Sequence, residues 1–183
     1  MHMAQHTRRW TRRDLDRLPD DGNRYEVVRG ELFVTPAPRP AHDAIVMALA
    51  ERLTEYVGRI GLGQVASGRP ALVVEDSQVE PDLVVRPRVR PVPAEWKDMP
   101  APLLVVDVLS DTTARRDRIA KRTLYLEATV PDYWIVDAEG RLITVVRPGQ
   151  PDETVGDRLR WLPSAATEPF EMDVAAMFRD ALD

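Results

Sequence analysis

The chain has 183 residues, 44% of them hydrophobic and 30% charged, with a formal charge of −5; that allows one sizeable core and is short for two. It has no cysteine, which excludes disulfides and thiolate metal sites and favours a cytoplasmic location over a secreted one. The acidic balance argues against a broad basic surface made for nucleic acid, though not against a local positive cleft. Neither a signal peptide in Met1 to Arg13 nor a run of ~20 apolar residues is visible, so a soluble protein with no membrane partner is expected.

Thr11 reads as the N-cap of a short helix through Leu18, followed by the turn Pro19-Asp20-Asp21-Gly22. Tyr25 to Val34 reads as a β-hairpin around Arg29-Gly30. The three prolines of Thr35 to Pro40 require an extended connector. A helix is expected from Ala41 to Arg59, with Ile45, Leu49, Leu53, Tyr56 and Ile60 at helical spacing. Three strands then follow, Ala71 to Glu75, Asp82 to Arg86 and Leu103 to Leu109. The third is apolar on both faces apart from Asp107, as in a central, doubly covered strand.

A Pro-rich surface loop, Pro87 to Pro102, carries Trp96 and Lys97. Ser110, Asp111 or Thr112 can cap a helix to about Ala128, with Ile119, Leu124 and Ala128 on its apolar side. Further strands are expected at Asp132 to Val136, Leu142 to Val146 and Arg158 to Leu162, and Asp173 can cap a last helix through Phe178. Without repeat, linker or low-complexity stretch, residues 1–183 read as a single α/β domain. Its core order is helix, three strands, helix and strand, preceded by the hairpin.

Asp82 and Asp107 carry the chemistry. A carboxylate in so apolar a strand as that of Asp107 is costly to bury unless a cation or donors compensate it. Two carboxylates on neighbouring strands make an oxygen site suited to Mg²⁺ or Mn²⁺, which can activate water and neutralise charge on a phosphodiester. The only lysines are Lys97 and Lys121, and a compact ammonium is what arginine cannot supply at a reacting phosphate. Blander readings stand beside these. Asp82 can simply end a turn, Asp107 can be a structural hydrogen-bond acceptor, and Lys121 can form a solvated pair with Asp117 four residues earlier.

The segments Arg24 to Leu32, Pro81-Asp82-Leu83-Val84-Val85, and Val106-Asp107-Val108-Leu109-Ser110 with Thr113, Asp117 and Lys121 occur in a distinctive order. With the Pro-rich link into His42, Tyr125, and Val130-Pro131-Asp132-Tyr133-Trp134-Ile135-Val136-Asp137, they resemble the bacterial Uma-type putative restriction endonuclease family. The resemblance covers about Thr11 to Arg147 and leaves a C-terminal strand and short helix at 153–180. It implies a restriction-endonuclease-like fold of the PD-(D/E)XK superfamily, a mixed central sheet flanked by helices. It further implies Asp82 and Asp107 as metal ligands, with Asp107 where family members usually have Glu. The superfamily's lysine two residues after the acid is replaced by Leu109, and Lys121 matches the displaced lysine of this family. Glu26 matches the family's hairpin Glu and His42 its helix-start His, a residue type more often a hydrogen-bonded structural group or helix cap than a catalytic base.

The expected function is therefore a Mg²⁺-dependent DNA endonuclease. A two-fold homodimer would be the simplest arrangement for cutting both strands. The alternative is a catalytically degenerate module of the same fold that binds nucleic acid or a protein partner. A sugar- or nucleotide-binding pocket has little support, because no Gly-rich phosphate loop is present.

Overall fold

The computed structural model describes residues 8–109 and 117–183. Helix α1 (Arg12–Leu15) is shorter than its sequence pattern predicts. The carboxylate of Asp14 accepts from both the backbone N–H and the hydroxyl of Thr11, at 2.9 Å each. Strands β1 (Arg24–Val28) and β2 (Glu31–Thr35) form the expected hairpin, with Val28 opposite Glu31. The two-residue loop between them has φ of 51° at Arg29 and 91° at Gly30, the doubly left-handed geometry whose twist matches an antiparallel pair.

Helix α2 (Pro40–Arg59) begins on proline, where the missing N–H costs nothing. It buries Ile45, Leu49, Leu53, Tyr56 and Val57 along one stripe, as the 3.6-residue period requires. Gly61, at φ 68°, turns the chain out of it.

Strands β3 (Gln64–Ala66), β4 (Leu72–Val74), β5 (Ser77–Val79) and β6 (Leu83–Arg86) follow. The next are β7 (Leu104–Val108), β8 (Tyr133–Asp137), β9 (Leu142–Val146) and β10 (Glu153–Val155). The central sheet has the order β10-β9-β8-β7-β6-β3, with β7 and β8 parallel and every other pair antiparallel. A smaller antiparallel sheet, β2-β1-β5-β4, lies apart from it. The predicted strand at Ala71 to Glu75 thus belongs to the small sheet. The first strand of the core is instead β3, whose three half-buried residues give too short an alternation to be read from sequence.

The central sheet is covered on both faces. Leu83, Val85, Leu104, Val106 and Val108 pack with α2 into one cluster, and Val105, Tyr133, Ile135 and Val146 into a second. The second cluster takes in Val28, Leu72 and Val79 of the small sheet and Leu124 and Tyr125 of helix α3 (Arg122–Glu127). Each fully buried aliphatic side chain here contributes about 1.5–3 kcal/mol of transfer free energy.

Directly before α3, Asp117–Lys121 is a π-helical turn. The caps predicted at Ser110, Asp111 and Thr112 lie outside the described residues. Leu124 is buried as expected, whereas Ile119 is 59% exposed. The wider π turn breaks the 3.6-residue period between them.

Strands β11 (Arg158–Trp161) and β12 (Phe170–Asp173) pair with each other and lead into α4 (Val174–Leu182). Asp173 caps that helix by accepting from Ala176 N–H at 2.7 Å. Leu159, Trp161, Phe170, Met172, Met177 and Phe178 close the α2 face of the core. No helix among the described residues is long and apolar enough to cross a membrane.

Candidate functional site

β6 and β7 are antiparallel with Leu83 opposite Val106, so continuing the register by one residue sets Asp82 opposite Asp107. The backbone supports this, because Asp82 N–H donates to Val106 C=O at 3.0 Å and Val108 N–H donates to Asp82 Oδ2 at 2.7 Å. Strand alternation turns Asp107, like Val105, toward the small sheet and α3. In β1 the same alternation puts Arg24, Glu26 and Val28 on one face. The two carboxylates, the hairpin residues and the π turn consequently meet at one end of the central sheet.

Lys121 supplies the cation. Its side chain is 1% exposed, and its Nζ lies 2.9 Å from both Glu26 Oε1 and Asp107 Oδ1. Glu26 Oε1 also accepts from Glu80 N–H at 2.8 Å. The other oxygen of Asp107, Oδ2, accepts from the hydroxyl of Tyr133 at 3.1 Å and that of Tyr125 at 3.4 Å. Lys121 is therefore buried and not the solvated group of the blander reading. Lys97, the other lysine, is exposed in a short turn at Trp96–Asp98. Leu109, at the superfamily's usual lysine position, is half-buried against the second hydrophobic cluster.

Asp82 is held by a separate set. Arg24 donates to Oδ1 at 2.9 Å, and His42 Nε2 lies 3.2 Å from Oδ2. Burial alone would raise the Asp82 pKa, but the His42 hydrogen bond, the Arg24 charge and the Val108 N–H reverse this and bring it down to about 2. Burial works against the charge on His42 too, and the contact with Asp82 outweighs it, so its pKa is raised. Arg24 is likewise raised despite burial, by Asp82 first and then by Glu26 and Asp107. A cavity of about 180 Å³ opens beside this group, lined by Arg24, His42, Asp82, Arg69, Pro36 and Pro38 among others.

All five side chains singled out in the sequence, Glu26, His42, Asp82, Asp107 and Lys121, are thus tied into two adjoining clusters. Arg24, Tyr125 and Tyr133 were not singled out, although each stands inside a quoted motif. The available signal was spacing, since Arg24 precedes Glu26 by two residues in a strand and must share its face.

The donors suit a hard divalent ion. The buried carboxylates of Asp82 and Asp107 belong to neighbouring positions of the sheet, and their charges are met by a guanidinium and an ammonium. Among the described residues no three His or carboxylate side chains are grouped tightly enough to hold an ion by themselves. That is compatible with Mg²⁺, which takes one or two protein carboxylates and completes its shell with water and phosphate oxygens.

A mixed sheet covered on both faces, with two acids on adjacent antiparallel strands and a lysine returned to them by the following helix, defines a restriction-endonuclease-like nuclease fold. The model of the Uma2 family, described as putative restriction endonuclease, matches residues 12–175. The chain belongs to that family. The structure is similar to that of a putative nuclease belonging to DUF820 from Anabaena variabilis, with a TM-score of 0.79. The two are 21% identical, and the match covers 94% of this chain and 99% of that one. No curated protein matches the sequence.

Proposed function

We propose that the chain is a Mg²⁺- or Mn²⁺-dependent endonuclease that hydrolyses phosphodiester bonds in DNA, working in the cytoplasm of a bacterium. The observation that carries this reading is the convergence of Asp82, Asp107 and Lys121, from two strands and a helix, at one sheet end in a chain of the restriction endonuclease family. Asp82 and Asp107 would hold the ion, which when bound polarises the phosphate and acidifies the attacking water. Lys121 is aligned by Glu26 and Asp107 to meet charge on the phosphate. Tyr125 and Tyr133 orient Asp107, and His42 orients Asp82, so neither acid can turn away from the shared edge. Two copies related by a two-fold axis would cut both strands of a duplex.

A second reading, a nuclease-fold module that binds DNA or a protein without cutting, is favoured by one feature. Lys121 is sealed between two acids, as in a structural ion-pair network.

The deciding assay is cleavage of plasmid and of single-stranded, double-stranded and branched oligonucleotides across a metal series. Cleavage is expected with Mg²⁺ or Mn²⁺, is lost with EDTA, and is replaced by binding without turnover in Ca²⁺. Asp82→Asn and Asp107→Asn should each abolish it. Asparagine is preferred to alanine because it keeps the side-chain volume and a carbonyl oxygen to which Arg24 or Lys121 can donate. Lys121→Met should slow cleavage while the ion still binds. Absence of cleavage on every substrate, or equal activity in all variants, selects the binding module.

A further inference from the structure

Asp82 carries one partner that a divalent ion would have to displace. Its Oδ2 is fixed by the backbone N–H of Val108, which cannot withdraw without disturbing β7, and is met by the short side chain of His42 in the first turn of α2. Its Oδ1 is held instead by Arg24 Nη2 at 2.9 Å, at the tip of a long flexible side chain. Arg24 Nη1 donates at 2.9 Å only to a backbone carbonyl, that of Glu80. The other two acids whose field reaches Arg24, Glu26 and Asp107, are each bound by Lys121. A doubly charged ion at Asp82 would repel the guanidinium.

The cavity of about 180 Å³ that Arg24 lines gives the guanidinium somewhere to go without crossing the core. Arg69 and His42 also line it, and the wall of Pro36, Ala37 and Pro38 is apolar. Asp82 and Asp43 line it as well; with an ion at Asp82, a pocket that has Arg24, Arg69 and His42 on one side and a prolyl wall on the other suits a sugar-phosphate unit. A planar guanidinium matches phosphate oxygens two at a time.

We propose that Arg24 is an exchange group: it neutralises Asp82 until a divalent ion binds, and then binds a backbone phosphate neighbouring the scissile one, seated in this cavity. The inference rests on the metal-dependent reading above and assigns Arg24 a contact with substrate that the reading does not contain.

The test is calorimetric titration of Ca²⁺ and Mn²⁺ into EDTA-stripped wild type, Arg24→Gln and Arg24→Lys, followed by titration of a short DNA duplex in Ca²⁺. Neighbouring opposite charges shift the proton affinity of a carboxylate by ~1–3 units, so Arg24→Gln should bind the ion about tenfold tighter or more. The same variant should bind the duplex about tenfold weaker, with a salt slope reduced by about one. Arg24→Lys should lie between. Damage to the fold would weaken both affinities, so the opposite signs are the signature. In wild type alone, the Arg24 guanidinium NMR signal should shift with Ca²⁺ occupancy. Equal ion affinity in Arg24→Gln with an unmoved signal, or joint weakening of ion and duplex, overturns the exchange and leaves the metal reading standing. No ion binding by any of the three proteins, with or without duplex, overturns both.

Discussion

Replacing Lys121 by Met keeps most of the aliphatic stem and deletes the charge, so it isolates the electrostatic role of a lysine that is 1% exposed. Two carboxylate oxygens stand 2.9 Å from its nitrogen. At an effective dielectric of about 20, each contact carries roughly 6 kcal/mol of gross attraction. Most of that is offset by the cost of bringing three charges out of water, and what the variant loses is the compensation of Glu26 and Asp107, which stay buried. Breaking such a cluster from one side typically costs ~3–5 kcal/mol. That is a fifth or more of a total stability of ~5–15 kcal/mol, or a fall of about 6–20 °C in Tm for a chain of this size. Urea unfolding of wild type, Lys121→Met, Glu26→Gln and the double variant reads the coupling directly. The double variant should recover at least ~1 kcal/mol relative to the sum of the singles, because neutralising Glu26 removes half of the uncompensated charge. Strict additivity would refute the claim that these groups act as one buried cluster.

Other outcomes follow from single contacts. Asp82 has its pKa depressed from 3.8 to about 2 in the folded chain, so it contributes stability above pH 3.8 that is lost as the pH falls through about 2. Asp82→Asn should remove about 2 kcal/mol of that acid limb, read from urea midpoints between pH 2 and pH 5. His42, whose pKa is raised by Asp82 against the effect of burial, contributes stability that is complete below pH 6.5 and declines as the pH rises through its folded value. His42→Gln should therefore flatten the stability profile above pH 6.5. Gly63→Ala would place a Cβ 2.0 Å from the carbonyl oxygen of Arg86. Because a backbone atom at the end of β6 cannot step aside, ~1–3 kcal/mol should be lost, with hydrogen exchange quickened first in β3.

The elements most legible in the sequence were those whose periodicity is long or whose turn chemistry is specific. The stripe of Ile45, Leu49, Leu53 and Tyr56 and the Arg29-Gly30 hairpin needed nothing beyond their own segments. Strands β3, β5 and β10 were missed because three residues carry little alternation, and β12, although it alternates, because four residues are too few to set a period. The pairing of Asp82 with Asp107 could be anticipated from two strands that each carry an acid at one end. For Arg24 only the strand face it shares with Glu26 was legible, since its partners Asp82 and Glu80 lie more than fifty residues along the chain. Ile119 misled because the π turn changes the helical period locally, and the same turn leads into the helix beyond Lys121.

Asp132, just before β8, accepts from Arg147 at 2.7 Å and from the indole of Trp161 at 3.0 Å, joining β11 to the central sheet. Elements β11, β12 and α4 come after all the others in chain order, yet they supply six large apolar side chains to the α2 face of the core. During synthesis that face of β7 and β8, with Trp134 at its centre, must wait exposed until Trp161 and Phe170 have left the ribosome. The nascent chain is therefore sticky until those residues emerge, and a stall or proteolytic cut before Trp161 would leave an aggregation-prone species rather than a smaller functional domain.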